Sequence, residues 1–260
     1  GGEITNSVYG GGRGGYSNNN NPGTFVRDDI LVTIGSNDSD KVPIINQAVY
    51  GGSAYGSVNG TTQTTNLSSS NTNVIVNKGL ITNVFGGGQG NDTYVPYVEG
   101  DIKVEINGGT ITNVYGGNDA NGKPNGNIEV YINNGTITNT FGGGHQTSAN
   151  TTNVYLTGGF SDNIYGGSNL TGEVTTSNVI TTGGTSINVY GGNNQGGTTD
   201  VTNVTINGGN ITNVYGGGEQ TSVTTNTNVN LNSYATNVFG GSNLNGTIPV
   251  SNIIVTNGGA

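Results

Sequence analysis

Apolar and polar residues alternate along short stretches of this 260-residue chain, and the stretches recur. In "NVTIN" (203–207) Val204 and Ile206 fall on one face, and Asn203, Thr205 and Asn207 on the other. "NITNVYGG" (210–217) follows after a glycine pair. Period-2 alternation, β-branched residues and Gly-rich joints predict strands, and no segment predicts a helix. The aromatic-Gly-Gly end of the unit returns at Tyr9, Tyr50, Phe85, Tyr115, Phe141, Tyr165, Tyr190, Tyr215 and Phe239. The interval is longest from Tyr9 to Tyr50, shortens through Phe85 and Tyr115, and is nearly constant from Phe141 onward. That constant interval, about 25 residues, lies in the solenoid range.

Two strands of this length cannot bury an apolar face alone, but coil stacked on coil can. The predicted fold is an all-β, single-stranded, right-handed parallel β-helix of about nine or ten coils of ~25 residues. Its inward first-strand column runs Val74, Val104, Val130, Val154, Val179, Val204, Val229, Ile253. A second-strand column runs Ile81, Ile111, Ile137, Ile211, with Ser161, Ser186 and Ala235 interposed.

A third column is Asn6, Asn83, Asn113, Asn139, Asn163, Asn188, Asn213 and Asn237. Asn tolerates a left-handed corner, and its amide can donate to the same Asn one coil away, which makes a ladder. The glycine pair allows the next corner. Val114 and its equivalents are expected to point inward and the aromatics outward, or half-covered at the corner. The step from first-strand Val to aromatic is the same in most coils, as from Val74 to Phe85 and from Val204 to Tyr215. It is shorter by one in the last, from Val229 to Phe239. Loop length varies instead between one aromatic and the next Val. One domain, 1–260, is therefore expected. Residues 1–101 hold coils with long insertions around 13–44, 53–72 and 87–101. Residues 102–260 hold regular coils. There "GGGHQTS" (142–148) returns as "GGGEQTS" (216–222), and "GGSNL" (166–170) returns as "GGSNL" (240–244). Both are displaced by the same three coils, an internal duplication.

Composition agrees with a thin, repetitive core. Glycine supplies 50 residues, and only 30% of the chain is hydrophobic. With six Lys+Arg and a net charge of −9, no basic patch can form, so nucleic-acid and anionic-membrane partners are not expected. No run approaches the ~20 apolar residues of a membrane span. Cysteine is absent, which removes disulfides. The chain has no starting Met and reads as a processed or excised piece of an extracellular or cell-surface protein.

The TNVYGG-type repeat and the Asn ladder resemble the right-handed parallel β-helix proteins of pectate-lyase-like architecture, found on bacterial and archaeal cell surfaces. The resemblance covers nearly the whole chain. It implies the architecture, while the functions of such proteins range over polysaccharide lyases and hydrolases, tail-spikes, adhesins and structural coats.

Chemistry-bearing residues are sparse. A lyase of that group implies clustered acids holding Ca²⁺ and a basic Arg or Lys. Arg13, Arg27, Lys41, Lys78, Lys103 and Lys123 form no column beside the acids. "GGQGNDTYV" (87–95) fits a calcium nonapeptide that normally works in tandem, which makes Asp92 a weak calcium candidate, as are Asp38 and Asp40 of "NDSD". No other cofactor is expected. Gly10–Gly15 holds a chance G-x-G-x-x-G without a Rossmann context. Lone His145 stands where Glu219 stands three coils later, as a solvated loop residue. Thr5, Thr82, Thr112, Thr138, Thr212 and Thr236 form an outward column of the ice-binding type, broken at Asn46, Asp162 and Ile187. The aromatic stripe is a candidate for stacking sugar rings. Ile75, Tyr131, Tyr155, Ile180 and Ile254 form an apolar outward stripe suited to lateral contact. Asn66-Leu67-Ser68 is a glycosylation sequon.

The chain's two ends together spell one approximate coil, so copies are expected to stack head to tail. The first functional expectation is a non-catalytic extracellular structural subunit of a filament, sheath or stalk. The alternative is an adhesin or carbohydrate-binding module for cell-surface glycans, with a polysaccharide-active enzyme third.

Overall fold

The computed structural model describes residues 2–15, 24–36, 40–58 and 70–256. Its strands are β1 (Glu3–Ile4), β2 (Val8–Tyr9), β3 (Phe25–Val26), β4 (Ile30–Ile34), β5 (Ile44–Tyr50), β6 (Ser57–Val58), β7 (Thr72–Val76), β8 (Leu80–Phe85) and β9 (Ile102–Tyr115). They continue as β10 (Ile128–Phe141), β11 (Ala149–Leu156), β12 (Phe160–Tyr165), β13 (Glu173–Tyr190), β14 (Thr198–Tyr215), β15 (Ser222–Leu231), β16 (Ala235–Phe239) and β17 (Val250–Val255). Every pairing between them is parallel, and each joins one coil to the next: an all-β parallel β-solenoid.

Register follows the repeat. Val130 lies beside Val104 and Val154, and Val204 beside Val179 and Val229. These valines are buried, as are Ile81, Ile111, Ile137 and Ile211. Ser161 and Ser186 occupy the same inward column, and Val114 is buried as expected. The core tolerates polar residues because they find carbonyls. Thr152, Ser177 and Thr202 each donate an inward hydroxyl at 2.6 Å to the carbonyl of the glycine that follows the next aromatic. A satisfied buried hydroxyl costs little, so a modest hydrophobic content suffices.

Three sequence expectations change here. The first-strand column begins one coil earlier, at Val32, which pairs with Val74 inside what reads as an insertion over 13–44. In that coil the arc from Val32 to Tyr50 is longer than the arc from Val74 to Phe85 in the next, so the turn between the two strands also accepts extra residues. The insertions themselves stack. Phe25–Val26 pairs with Ser57–Val58, and Val58 bridges to Val98.

The left-handed turn is made by glycine rather than by Asn. Gly109, Gly135 and Gly209 have φ of 98°, 96° and 96°, between the first and second strands. Asn113 instead lies within β9, where alternation breaks. Ile111 and Val114 are both buried with two residues between them, which bends the strand. The aromatic-Gly corner works by space. A Cβ on Gly142 would lie 2.3 Å from the Gly166 carbonyl oxygen of the next coil.

Candidate functional site

The aromatics do not face outward. They form one stack, Tyr9–Tyr50–Phe85–Tyr115–Phe141–Tyr165–Tyr190–Tyr215–Phe239, with ring centroids 4.6–5.0 Å apart and planes within 4–11° of parallel. From Tyr50 to Tyr190 the residues are buried. Coil spacing explains this, because a rung repeat of about 4.8 Å brings successive rings to stacking distance. Both faces of every internal ring are covered by its neighbours, so this stripe offers no face to a sugar.

The hydroxyl edges meet a second column, the residue four positions after each aromatic. The loop after each Gly-Gly pair hydrogen-bonds to the loop of the coil before. Ala120 N donates to the Gln89 carbonyl, Gln146 N to Asp119 and Gln220 N to Asn194. Tyr9 donates to Gln89 at 2.8 Å, Tyr50 to Asp119 at 2.9 Å and Tyr165 to Glu219 at 2.6 Å. Tyr115 accepts from Asn169 at 3.2 Å and Tyr190 from Asn243 at 3.3 Å.

His145 belongs to this column. Its Nδ1 stands 2.9 Å from Asp119 Oδ1, and its ring is tilted against Tyr115. It is thus tied into the column rather than a free loop residue. Burial pushes the phenols of Tyr115 and Tyr190 up to about 12. Tyr50 and Tyr165 are pushed up by burial and then by the carboxylates they bond, Asp119 and Glu219. Phenols held neutral in this way donate or accept hydrogen bonds and do not serve as phenolate bases.

The Asn ladder is present. Asn113 donates to Asn83, Asn139 to Asn113, Asn163 to Asn139, Asn188 to Asn163, Asn213 to Asn188 and Asn237 to Asn213, all at 2.9–3.0 Å. Asn6 stands off it. The first two coils hold one more residue at this bend, so Gln47 bonds Asn6, and Asn83 donates to the Gln47 backbone carbonyl. Further ladders escape the sequence reading. One is Asn153–Asn178–Asn203–Asn228–Asn252, and another is Asn77–Asn107–Asn133. Asn207, which reads as a free outward residue, accepts from Asn232 at 2.9 Å. The signal for all of these is Asn recurring at one repeat position.

The calcium candidates do not converge. Asp92 is exposed at the tip of a turn in which Asn91 Oδ1 accepts from Thr93 N and Tyr94 N. Asp40 is exposed elsewhere, and Asp38 and the sequon at 66–68 lie outside the described residues. Among the described residues no three His, Cys, Asp or Glu side chains come together to hold a metal. The outward threonines Thr82, Thr112, Thr138, Thr212 and Thr236 are exposed.

The first-strand face carries a shallow groove of about 480 Å³ lined by Asp29, Asn71, Asp101, Lys103, Asn127 and Glu129. Beside it Tyr131 stacks on Tyr155 at 4.6 Å, with the Lys103 ammonium 5.1 Å from the Tyr131 ring centre. The groove's polar atoms are partly committed already. Asp29 accepts from Asn71 N and Asp101 from Asn127 N, both at 2.8 Å.

No protein-family model matches the chain, and comparison with curated proteins and with solved structures finds no match either.

Proposed function

We propose that the chain is a non-catalytic structural subunit at a cell surface or outside the cell, which stacks head to tail into a filament, sheath or stalk. The resemblance to pectate-lyase-like surface β-helices belongs to the same reading. One observation carries it: the ring stack and the Asn83–Asn237 and Asn153–Asn252 ladders pass from coil to coil without a break through the last described coils, so that one coil is the template for the next. Among the described residues Phe239 is the last ring of the stack and is 47% exposed, whereas Phe141 at the same position inside it is 2% exposed. Val250, Ile253, Ile254 and Val255 are exposed beside it. Among the described residues β16 pairs only with β14, and β17 only with β15. Open parallel edges with apolar columns are surfaces that another coil satisfies.

Electron microscopy and sedimentation of the chain test this. Fibres should appear, with an axial repeat of about 45 Å for nine or ten rungs. A strictly monomeric chain at high concentration, with native material free of fibres or sheets, defeats the reading.

The groove at Asp101, Lys103 and Glu129 supports a second reading, an adhesin or glycan-binding module, since carboxylates and an ammonium bond sugar hydroxyls. A glycan-array signal lost on Lys103→Ala would favour it.

A further inference from the structure

Asparagine precedes glycine at several turns, and the turns do not hold it alike. Within β9 the chain turns through Asn107-Gly108-Gly109, and within β14 through Asn207-Gly208-Gly209. In β10 the same turn reads Asn133-Asn134-Gly135. The left-handed glycine stands third in each, as Gly109, Gly135 and Gly209. The first position belongs to an amide ladder. Asn133 donates to Asn107 and accepts from Thr157, and Asn207 accepts from Asn232.

Asn134 stands at the second position, which is Gly108 in the coil before and Gly158 in the coil after. Those coils therefore offer no side chain at its level to hold its amide. It is exposed, and its Oδ1 turns back to accept from the N–H of its own neighbour, Gly135, at 2.8 Å. Among the described residues nothing else bonds this amide. The pairing of β10 with β9 is irregular on both sides of Asn134.

We propose that Asn134 is a self-modification site of the folded chain, at which the Gly135 backbone nitrogen displaces the side-chain ammonia. The nitrogen attacks Asn134 Cγ, the bond from Cγ to Nδ2 breaks, and Nδ2 leaves as ammonia with the proton given up by the Gly135 N–H. A five-membered succinimide remains. Water, the one co-reactant, then opens either of its two carbonyl–nitrogen bonds, giving aspartate or isoaspartate. Either product adds a negative charge to an outward turn that carries none. Isoaspartate also lengthens the backbone by one carbon between the two halves of β10. The proposal stands independently of whether subunits stack.

Three requirements select Asn134. Attack needs a nitrogen uncrowded by a β-carbon, which glycine supplies. It needs that nitrogen close to Cγ, and the Gly135 bond holds it against Oδ1, one bond from Cγ, near the geometry of attack. It needs the amide to turn its face to the nitrogen, because a hydrogen bond lies near the plane of the carbonyl and attack comes from outside that plane. Asn134 turns against water alone. Asn107 must first open its bonds to Asn77 and Asn133, and Asn207 its bond to Asn232. Asn121 also bonds its own glycine, Gly122, at 2.7 Å, but the Asn91 carbonyl holds its Nδ2 at 2.9 Å, which ties the leaving group. Asn245 bonds Gly246 at 2.9 Å as Asn134 bonds Gly135, in the last described coil.

Peptide mass spectrometry of the whole chain decides it, after ageing in mildly alkaline buffer with the chain folded and, in parallel, unfolded in urea. Asn107, Asn121, Asn134 and Asn207 each precede glycine and lie between two described coils, so their rates are comparable. In urea the four should react at similar rates. In the folded chain Asn134 should react at least about tenfold faster than Asn107 and Asn207, because each bond that opens beforehand slows the step. Enzymatic methylation of isoaspartate should label the peptide that holds position 134. Asn134→Gln should abolish the signal there and leave the fold intact, since the longer side chain closes its ring slowly and the position is exposed. A folded-state rate at Asn134 no higher than at Asn107 and Asn207 overturns the proposal. So does an Asn134 that reacts in urea alone.

Discussion

The Tyr165 hydroxyl donates to a Glu219 carboxylate oxygen at 2.6 Å, across two coils. The bond ties one rung's ring to the loop of the second rung beyond it, so it links three coils at once. Tyr165→Phe strands the carboxylate beside a buried stack and should cost about 1–3 kcal/mol. Adding Glu219→Leu should restore much of the loss. Urea unfolding of the four chains measures this, and additive losses would mean that the contact carries no coupling.

The Asn ladder should be felt along its length. Asn139 both donates to Asn113 and accepts from Asn163. Asn139→Ala breaks two half-buried bonds, at a cost of about 1–2 kcal/mol. Asn210 is exposed with only its backbone in the pairing to Thr185, so Asn210→Ala should stay within about 0.5 kcal/mol of the parent. Indistinguishable unfolding midpoints would remove the ladder from the list of stabilising contacts.

The middle of the solenoid and its last aromatic-Gly-Gly unit should respond differently to an added methyl group. On Gly142 a Cβ meets a backbone oxygen at 2.3 Å, whereas on Gly241, in the last aromatic-Gly-Gly unit, the nearest atom is Ile248 Cδ1 at 3.7 Å. Gly142→Ala should lower the melting temperature by several degrees, or prevent folding. Gly241→Ala should leave the isolated subunit unchanged. Similar melting curves would show that the coils part easily at the Gly142 corner.

Stability should fall in alkali. Unfolded phenols lose their protons near pH 10, while Tyr115 and Tyr190 keep theirs to about 12, and Tyr50 and Tyr165 are also raised. Between pH 10 and 12 the unfolded chain therefore binds fewer protons than the folded one, so unfolding free energy declines as pH rises. Below pH 10 these groups contribute no pH dependence. Phenolate absorbance during alkaline titration should rise together with unfolding. A rise centred at pH 10 with the fold intact would contradict the buried stack.

Strand positions, the period and the inward Val and Ile columns were legible in the sequence, because a side-chain period of two and a constant coil length are local properties. Asn83–Asn237 was legible for the same reason: equal residues at equal positions must stack. β4 was not legible. It lies between irregular segments, and only its pairing with β7 of the next coil identifies it as a rung.

The side of the corner on which the rings lie was decided by the tertiary structure. An aromatic at a bend is compatible with either side until the following loop folds over it. The two-coil offset between a tyrosine and its partner was likewise decided in three dimensions, since it depends on how far each loop leans along the solenoid axis. The tyrosines carry that signal, since five of the six in the stack find their partner in the loop two coils on. Reading it required knowing that the loop leans by two rungs, and no stretch of sequence shorter than three coils contains that distance.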